Sequence, residues 1–446
     1  MGDHAGWYSV SDETFYPSVQ IRELKDNEQV QLDENVDYSS ADESREFINT
    51  ETNNKVIFFK EQNYFFDLAK YKDTLIDHIK KNPTFVQPAS YKDQLLKSLT
   101  TEQLSPLSIS RPTKRLNWAI KVPGDESQSI YVWFDALCNY MTSIGSLDKI
   151  KDPSTAEFEF MRNTTHVIGK DIFKFHCIYW PMFLISVGLP LPKRIVVHGH
   201  WLNDGVKMSK SLGNVVDPIE CIDNYGVNSM RLAILSHSSV HEDNNFSNKY
   251  VIESRNAILA NKVANLISRS SKKFDPRKAV EQWQPVFKAN GGKITQEMFE
   301  MFGNDFKEAG FIKNALHEIT NSVDWLEANY DKYMEAFEYQ KILVELNKLI
   351  DASNSLFHNA QPWTLKDEKS FKQRDLVLFL ALESVRIYCL LASPVIPDLA
   401  TKIFDTLEIP ASKRYNMSMA KLGAGSPYSK QYKDGIVLLT SVKEKK

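Results

Sequence analysis

From about Asn248 onwards, apolar residues recur three or four positions apart almost without a break. That spacing commits the second part of the chain to packed helices. Residues 251–268, 306–328, 334–353 and 376–391 each carry such a stripe, with no repeat of fixed period. The part before is patterned differently. Residues 130–134 are β-branched and aromatic and predict a buried strand; 166–169 predict another, 172–187 a helix, and 194–198 a third strand after Pro190 and Pro192. Strand, helix and strand within about thirty residues is the size of a right-handed βαβ unit. Nearer the start, 55–59 predicts a short strand and 64–80 a helix that Pro83 and Pro88 bring to an end. The acidic, Asn/Ser-rich stretch 26–51 predicts a loop or disordered excursion. A chain of 446 residues exceeds one core, so two or three domains are expected: an α/β region, then an all-α bundle.

Hydrophobic residues make up 42% and charged residues 25%, as in ordinary globular chains. The richest apolar run, 173–189, is interrupted by His176 and Pro181 and is too short to cross a bilayer. Residues 1–10 hold neither an apolar signal core nor an Arg-rich amphipathic helix. With a formal charge of -3, a nucleic-acid partner has to be met by a local basic patch. Cys138, Cys177, Cys221 and Cys389 lie far apart with no C-x-x-C pair, which argues against a zinc knuckle or disulfide framework and for core thiols in a reducing compartment.

The sharpest local feature is Lys207-Met208-Ser209-Lys210-Ser211. Two ammonium groups three residues apart in a Ser-containing loop can hold a polyphosphate by charge and hydroxyl hydrogen bonds. Gly205 and Gly213 flank it and allow it to open and close. Other candidates are ambiguous when taken singly. Trp133 and Trp180 read as core, His176 as a satisfied core histidine, Arg111 as a surface arginine and Asp171 as a helix N-cap. The charges Arg269, Lys272, Lys273, Arg277 and Lys278 read as either a solvated face or a basic patch.

In order along the chain, however, these residues form a set. Lys207–Ser211 is the KMSKS signature of class I aminoacyl-tRNA synthetases. Tyr131-Val132-Trp133-Phe134-Asp135-Ala136, His166-Val167-Ile168-Gly169-Lys170-Asp171-Ile172, Phe175-His176 with Trp180-Pro181, and Val197-His198-Gly199-His200 closely resemble methionyl-tRNA synthetases of the bacterial and mitochondrial type. Gly6-Trp7-Tyr8-Ser9-Val10-Ser11-Asp12-Glu13 matches that family's inserted connective segment. The resemblance weakens only over 26–51 and beyond about Asp405.

It implies an α/β fold: the C-terminal half of a class I synthetase Rossmann domain with a remnant of the inserted connective segment, followed by an all-α anticodon-binding bundle. The implied divisions are 1–128 (connective remnant and lead-in), 129–201 (second Rossmann half), 202–247 (lysine loop and stem-contact region) and 248–446 (anticodon-binding domain). By resemblance Trp133, Tyr140, His176 and Trp180 line the methionine pocket, with Ala136 and Leu137 at its edge, where aromatic walls suit a thioether. Gly169, Asp171, His198, Lys207, Met208, Ser209, Lys210 and Ser211 would bind ATP. Arg111, after Ser110, would face the reacting phosphate and carboxylate, with Lys207 and Lys210 stabilising the leaving pyrophosphate. Asn265 and Arg269, i,i+4 neighbours on one helix, and Trp363 would read anticodon bases. The implied reaction is methionine activation by ATP with Mg²⁺ to methionyl-adenylate, then transfer to initiator and elongator methionine tRNA in the mitochondrial matrix. A monomer is expected, with no membrane partner.

The sequence departs from the family in several places. The HIGH tetrapeptide, whose helix N-terminus binds ATP phosphates, is absent, so the chain is expected to be an N-terminally truncated member that is inactive on its own. Pro106 and Asn228 stand where aspartate is usual. The connective segment has no cysteine, which excludes the zinc-bearing subtype. The Asn/Lys/Ser-rich excursions lean towards an organellar rather than a bacterial protein. A second reading stays open: a non-catalytic tRNA-binding protein derived from a synthetase.

Overall fold

A computed structural model describes residues 1–446 apart from positions 10, 12–13, 26–27, 34–35, 37, 39–44, 51, 115–117, 209–212, 273, 304, 426–437 and 444–446. The chain forms two compact units, Met1–Val197 and His198–Lys446.

The first unit begins with an antiparallel sheet of β1 (Gly2–Ser9), β2 (Thr14–Tyr16), β3 (Ile21–Lys25), β4 (Glu28–Gln31), β5 (Glu46–Asn49) and β6 (Lys55–Asn63), in the order β2-β1-β6-β5-β3-β4. The expected excursion at 26–51 therefore holds two strands. Its apolar signal is weak because few positions are covered: Phe47 and Asn49 are buried on alternate positions of β5, while β4 is an exposed edge strand. Trp7, Ile21, Tyr38, Phe47 and Val56 make a small core of their own. Beside it the buried Glu23 carboxylate accepts two bonds from Arg45, at 2.6 and 2.8 Å.

The helix expected over 64–80 is shorter. Phe65 and Phe66 form β7 (Phe65–Phe66), and α1 (Lys72–Lys81) buries Leu75, Ile76 and Ile79. Then come β8 (Val86–Gln87), α2 (Ala89–Thr101), β9 (Leu107–Ser108), which pairs with β7, and the antiparallel trio β10 (Ser110–Pro112), β11 (Lys121–Val122) and β12 (Asp125–Ile130). Here the strand expected at 130–134 is corrected. Ile130 ends β12 opposite Ser110, and α3 (Val132–Ile144) starts two residues later with Asp135 in its first turn. Tertiary pairing and a favourable helix-dipole charge override the β propensity of Val132 to Phe134.

Short helices α4 (Leu147–Lys151) and α5 (Ala156–Asn163) lead into β13 (Thr165–Gly169). A π-helical turn, Phe175–Tyr179, runs into α6 (Trp180–Ser186), and β14 (Arg194–His198) follows. The sheet order is β13-β14-β8, with β14 and β8 parallel. Ile168, Ile195 and Val197 face Leu75, Leu95 and Leu99 in its core. This is the strand–helix–strand arrangement expected from the spacing.

In the second unit, β15 (Trp201–Asn203) and β16 (Val206–Lys207) form a hairpin. Its turn residues Asp204 and Gly205 have φ of 50° and 79°, as a type I′ turn requires. Helices α7 (Pro218–Tyr225) and α8 (Val227–Ser236) precede β17 (Asn244–Phe246), parallel to β15. Glycine is required at 199, where a Cβ would lie 2.1 Å from the Glu242 carbonyl oxygen. The rest is helical: α9 (Asn248–Glu253), a π-helical stretch Ser254–Ala264, α10 (Asn265–Lys272), α11 (Pro276–Ala289), α12 (Gln296–Glu300), α13 (Ala309–Glu335), α14 (Tyr339–Ala360), α15 (Phe371–Ala392) and α16 (Pro397–Thr406).

Every residue of α15 from Asp375 to Ala392 is buried, so this helix is the axis of the bundle and not a one-faced surface helix. Its Glu383 and Arg386 pair at 2.7 Å with side chains 2% and 3% exposed. They also take the 417–425 segment through Gly423 N and the Met419 and Lys421 carbonyls, each at 2.7 Å. Helix α14 ends on Gln361 in the left-handed region (φ 44°) followed at once by Pro362, which cannot continue a helix. The four cysteines are unbridged, with Cys177, Cys221 and Cys389 buried.

Candidate functional site

In the first unit, α3, β13, the π-helical turn and the start of α6 bring four polar-tipped rings together. The His176 Nδ1 lies 3.1 Å from the Ile172 carbonyl. That oxygen only accepts, so Nδ1 carries the proton. Neutral His176 then offers Nε2 as an acceptor for the Tyr140 hydroxyl at 2.8 Å. Trp180, fully buried, donates its Nε1–H to His166 Nε2 at 3.3 Å. Burial, with His176 nearby, pushes His166 down from 6.5 to about 4. Burial also lowers His176, partly opposed by the Ile172 carbonyl. Both imidazoles are therefore neutral at pH 7. The cluster offers aromatic surface and no net charge, a good match for a thioether and a poor one for a charged side chain.

Next to it Trp133 stacks on Phe175 at 3.9 Å. Both rings line a cavity with Leu137, Tyr131 and Phe183 that encloses about 10 Å³, near the room one water needs. Leu137 is buried, while Ala136 is exposed on α3.

Arg111, on β10, is not a free surface arginine. Its Nη1 donates to Ser108 Oγ and the Ser110 carbonyl, both at 2.8 Å, and its Nε lies 3.4 Å from buried Glu61. The guanidinium sits 4.2 Å from the centre of the Tyr131 ring. Asn63 ties Glu61 and Ser108 together, at 2.7 and 2.9 Å. Gly169 ends β13, and Asp171 stands exposed in the turn that follows. These residues belong to the first unit, and His198, Lys207 and Met208 to the second.

In the second unit, His198 Nδ1 donates to the Gly199 carbonyl at 2.7 Å. Lys207 is exposed at the end of β16, and Met208 half-buried; Ser209, Lys210 and Ser211 lie outside the described residues. The loop is tied at its base. Asn203 donates to the Asn214 carbonyl at 2.9 Å, and Asn214 to the Lys207 carbonyl at 3.2 Å. Gly213 takes φ of 65° with open space around it.

Further along the same unit, Asn265 is exposed at the start of α10. One turn on, Arg269 lies 4.7 Å over the Phe357 ring, whose centre is 6.1 Å from Trp363. Residues 94 positions apart in sequence are thus brought to one place by α10 and the end of α14. Trp363 is 39% exposed, too open for a core residue. The basic patch is smaller than its sequence suggests: Arg277 is held by Asp275 at 2.9 and 2.8 Å, and Lys273 lies outside the described residues.

A family profile described as tRNA synthetases class I (M) matches residues 1–271, and one described as the anticodon binding domain of methionyl tRNA ligase matches 307–439. The chain belongs to the methionyl-tRNA synthetase family. Its relatives include the mitochondrial methionine–tRNA ligase of Saccharomyces cerevisiae, 39% identical over 97% of this chain and 73% of that one. The mitochondrial methionine–tRNA ligase of Candida albicans is 37% identical over 91% and 70%. The Mycobacterium tuberculosis methionyl-tRNA synthetase bound by methionyl-adenylate superposes with a TM-score of 0.75 at 29% identity, covering 98% of this chain and 77% of that one.

As a methionyl-tRNA synthetase, the chain is a methionine–tRNA ligase whose partners are methionine, ATP and tRNA. It combines a class I α/β catalytic domain with a helical anticodon-binding domain. Asn265 and Arg269 fall within the first match and Trp363 within the second. Several residues at these places escape sequence reasoning. Phe175 and Phe357 look like ordinary core, and His166 carries no mark of its contact with Trp180. Glu61 and Asn63 had one available signal, their i,i+2 placement on one face of a strand.

Proposed function

We propose that this synthetase activates methionine with ATP to methionyl-adenylate and passes it to initiator and elongator methionine tRNA in the mitochondrial matrix. The observation that carries this reading is the neutral aromatic cluster, in which the Tyr140–His176 and Trp180–His166 bonds join four rings into an uncharged aromatic surface suited to a thioether. Trp133 and Phe175 would part to admit the side chain, with Ala136 and Leu137 at the edge. Arg111, fixed by Glu61 and Ser108, would face the carboxylate and α-phosphate. Gly169, Asp171 and His198 would bind the nucleotide. Lys207, Met208, Ser209, Lys210 and Ser211 would take the β- and γ-phosphates of Mg²⁺-bound ATP. No covalent enzyme intermediate is needed, so catalysis is positioning and charge stabilisation. No resident zinc takes part, and the enzyme acts as a monomer away from membranes.

The division into 1–128, 129–201, 202–247 and 248–446 is part of the same reading, with Asn265, Arg269 and Trp363 reading anticodon bases. The mitochondrial assignment is supported by the names of the two fungal relatives.

The test is methionine-dependent exchange of pyrophosphate into ATP. The HIGH tetrapeptide is not among the 446 residues, and residues 1–446 alone are expected to give no exchange. Joined to a HIGH-bearing first half, they should give it, and Lys210→Ala should lower its rate by roughly 10²-fold with little change in methionine affinity. Exchange by residues 1–446 above a Lys210→Ala control defeats the first expectation. Full turnover of the joined variant defeats the catalytic role of the loop.

A further inference from the structure

Among the described residues, Trp118 is the most open of the large apolar side chains, 83% exposed, and Ile120 close by is 58% exposed. A single apolar residue in water needs no explanation; the surroundings of this one call for it. Both lie in the connection from β10 to β11. From 103 to 124 the chain holds no aspartate or glutamate, yet Arg111, Lys114 and Lys121 all fall there, in a molecule whose formal charge is -3. Strand pairing puts two of these cations in order. Arg111 and Lys121 each stand opposite Ser129 of the central strand β12. Residues directly opposite one another share a face of the sheet, so guanidinium and ammonium leave the same face from strands about 10 Å apart. Lys121 Nζ donates to the Thr113 and Ser129 hydroxyls at 3.3 and 3.2 Å. Hydroxyls are neutral and hold the ammonium in place without cancelling its charge. Lys114 is exposed where the connection leaves β10.

We propose that this connection is a docking surface for the unpaired 3′ end of tRNA, with a base stacked on Trp118 and the strand's phosphates beside Lys114 and Lys121. Single-stranded RNA is held in this manner: a ring accepts the face of any base, and cations follow the backbone. A protein partner would call for a broader apolar patch poor in lysine. Here the apolar area is one indole and one isoleucine among cations. The row from Lys121 to Arg111 gives the strand its direction, with the terminal ribose at the Arg111 end and the stacked base upstream of it. Phosphate contacts fix register, so the surface would measure nucleotides off from the reacting carboxylate. The direction rests on the role proposed above for Arg111; the surface stands apart from that role.

The test uses this chain and a methionine tRNA transcript carrying 2-aminopurine at one unpaired 3′ position at a time. With the transcript saturated by the chain, stacking should quench the fluorescence at a position inside the last nucleotide. Trp118→Ala should remove that quenching and weaken the tRNA about five-fold or more, while Trp118→Phe keeps both. On a transcript shortened by its unpaired 3′ nucleotides, Trp118→Ala should bind as the parent chain does. Lys114→Ala and Lys121→Gln should each lower the slope of log affinity against log salt by about 0.7. If the tRNA binds and no 3′ position responds, or Trp118→Ala keeps the response, the surface is wrong and the tRNA-binding reading stands. If the parent chain does not bind the tRNA, both fall. Quenching at the last nucleotide instead would overturn the assigned direction. A Trp118-dependent dimer in sedimentation of the chain without RNA would make the patch a contact between copies and overturn the proposal.

Discussion

His166 and His176 have ring centres 5.9 Å apart, and a proton on either is resisted by the packing around them. His166 is held near 4 against an ordinary 6.5, so between those values the unfolded chain binds a proton that the folded chain excludes. Its stabilising contribution is complete above pH 6.5 and is lost as pH falls towards 4, on the order of 3 kcal/mol in all. His176, also lowered by burial, acts with the same sign. Unfolding followed by tryptophan fluorescence should show this loss, and His166→Gln, which keeps an acceptor for Trp180 without titrating, should flatten it. An unchanged slope in that variant would place the titration elsewhere. The residues of this cluster were legible because they come as ordered motifs. What could not be read was which atoms meet: Trp180 and His166 are fourteen positions apart, and only the fold puts one ring nitrogen against the other. Arg111 shows the opposite limit. Its position in a motif was visible, but its grip by Glu61 and Ser108 depends on strands brought together from fifty residues away.

Helix α15 shows what periodicity conveys and what it omits. Its apolar spacing predicted a helix, and a helix is there, but burial on every side was hidden because Asp375, Glu383 and Arg386 look like a solvent face. In the bundle Glu383 and Arg386 satisfy each other and clasp the 417–425 segment. Removing one partner strands a charge. Arg386→Met should cost about 3–5 kcal/mol, whereas Glu383→Leu with Arg386→Met should cost less. Urea unfolding measures both, and equal losses would show that the clasp on 417–425, not the ion pair, carries the stability. The same limit explains 130–134 and 26–51. In the first, strong β formers turn into a helix because Ile130 is claimed by Ser110. In the second, strands with one covered face leave too few apolar positions to be recognised.

At the scale of the whole molecule, the aromatic pocket lies in Met1–Val197 and the tryptophan beside Arg269 and Phe357 in His198–Lys446. Loss of a stacked base costs about 1–3 kcal/mol. In a form of the enzyme active in both steps, Trp363→Ala should therefore slow charging of methionine tRNA roughly five- to a hundred-and-fifty-fold and leave pyrophosphate exchange near normal. A parallel fall in both activities would make Trp363 structural. The overall division into an α/β part and a helical part was readable from where the spacing changes near Asn248, since period is a property of long stretches. The left-handed residue at Gln361 adds a consequence of its own. The chain leaves α14 through a bend set by the main chain and stiffened by Pro362, so the bearing of the next side chain is decided before that side chain makes any contact. A ring nearly two-fifths exposed would ordinarily wander among rotamers; here its backbone is aimed in advance. Loosening residues 361 and 362 would therefore unsettle the bearing of the Trp363 ring without altering the ring itself.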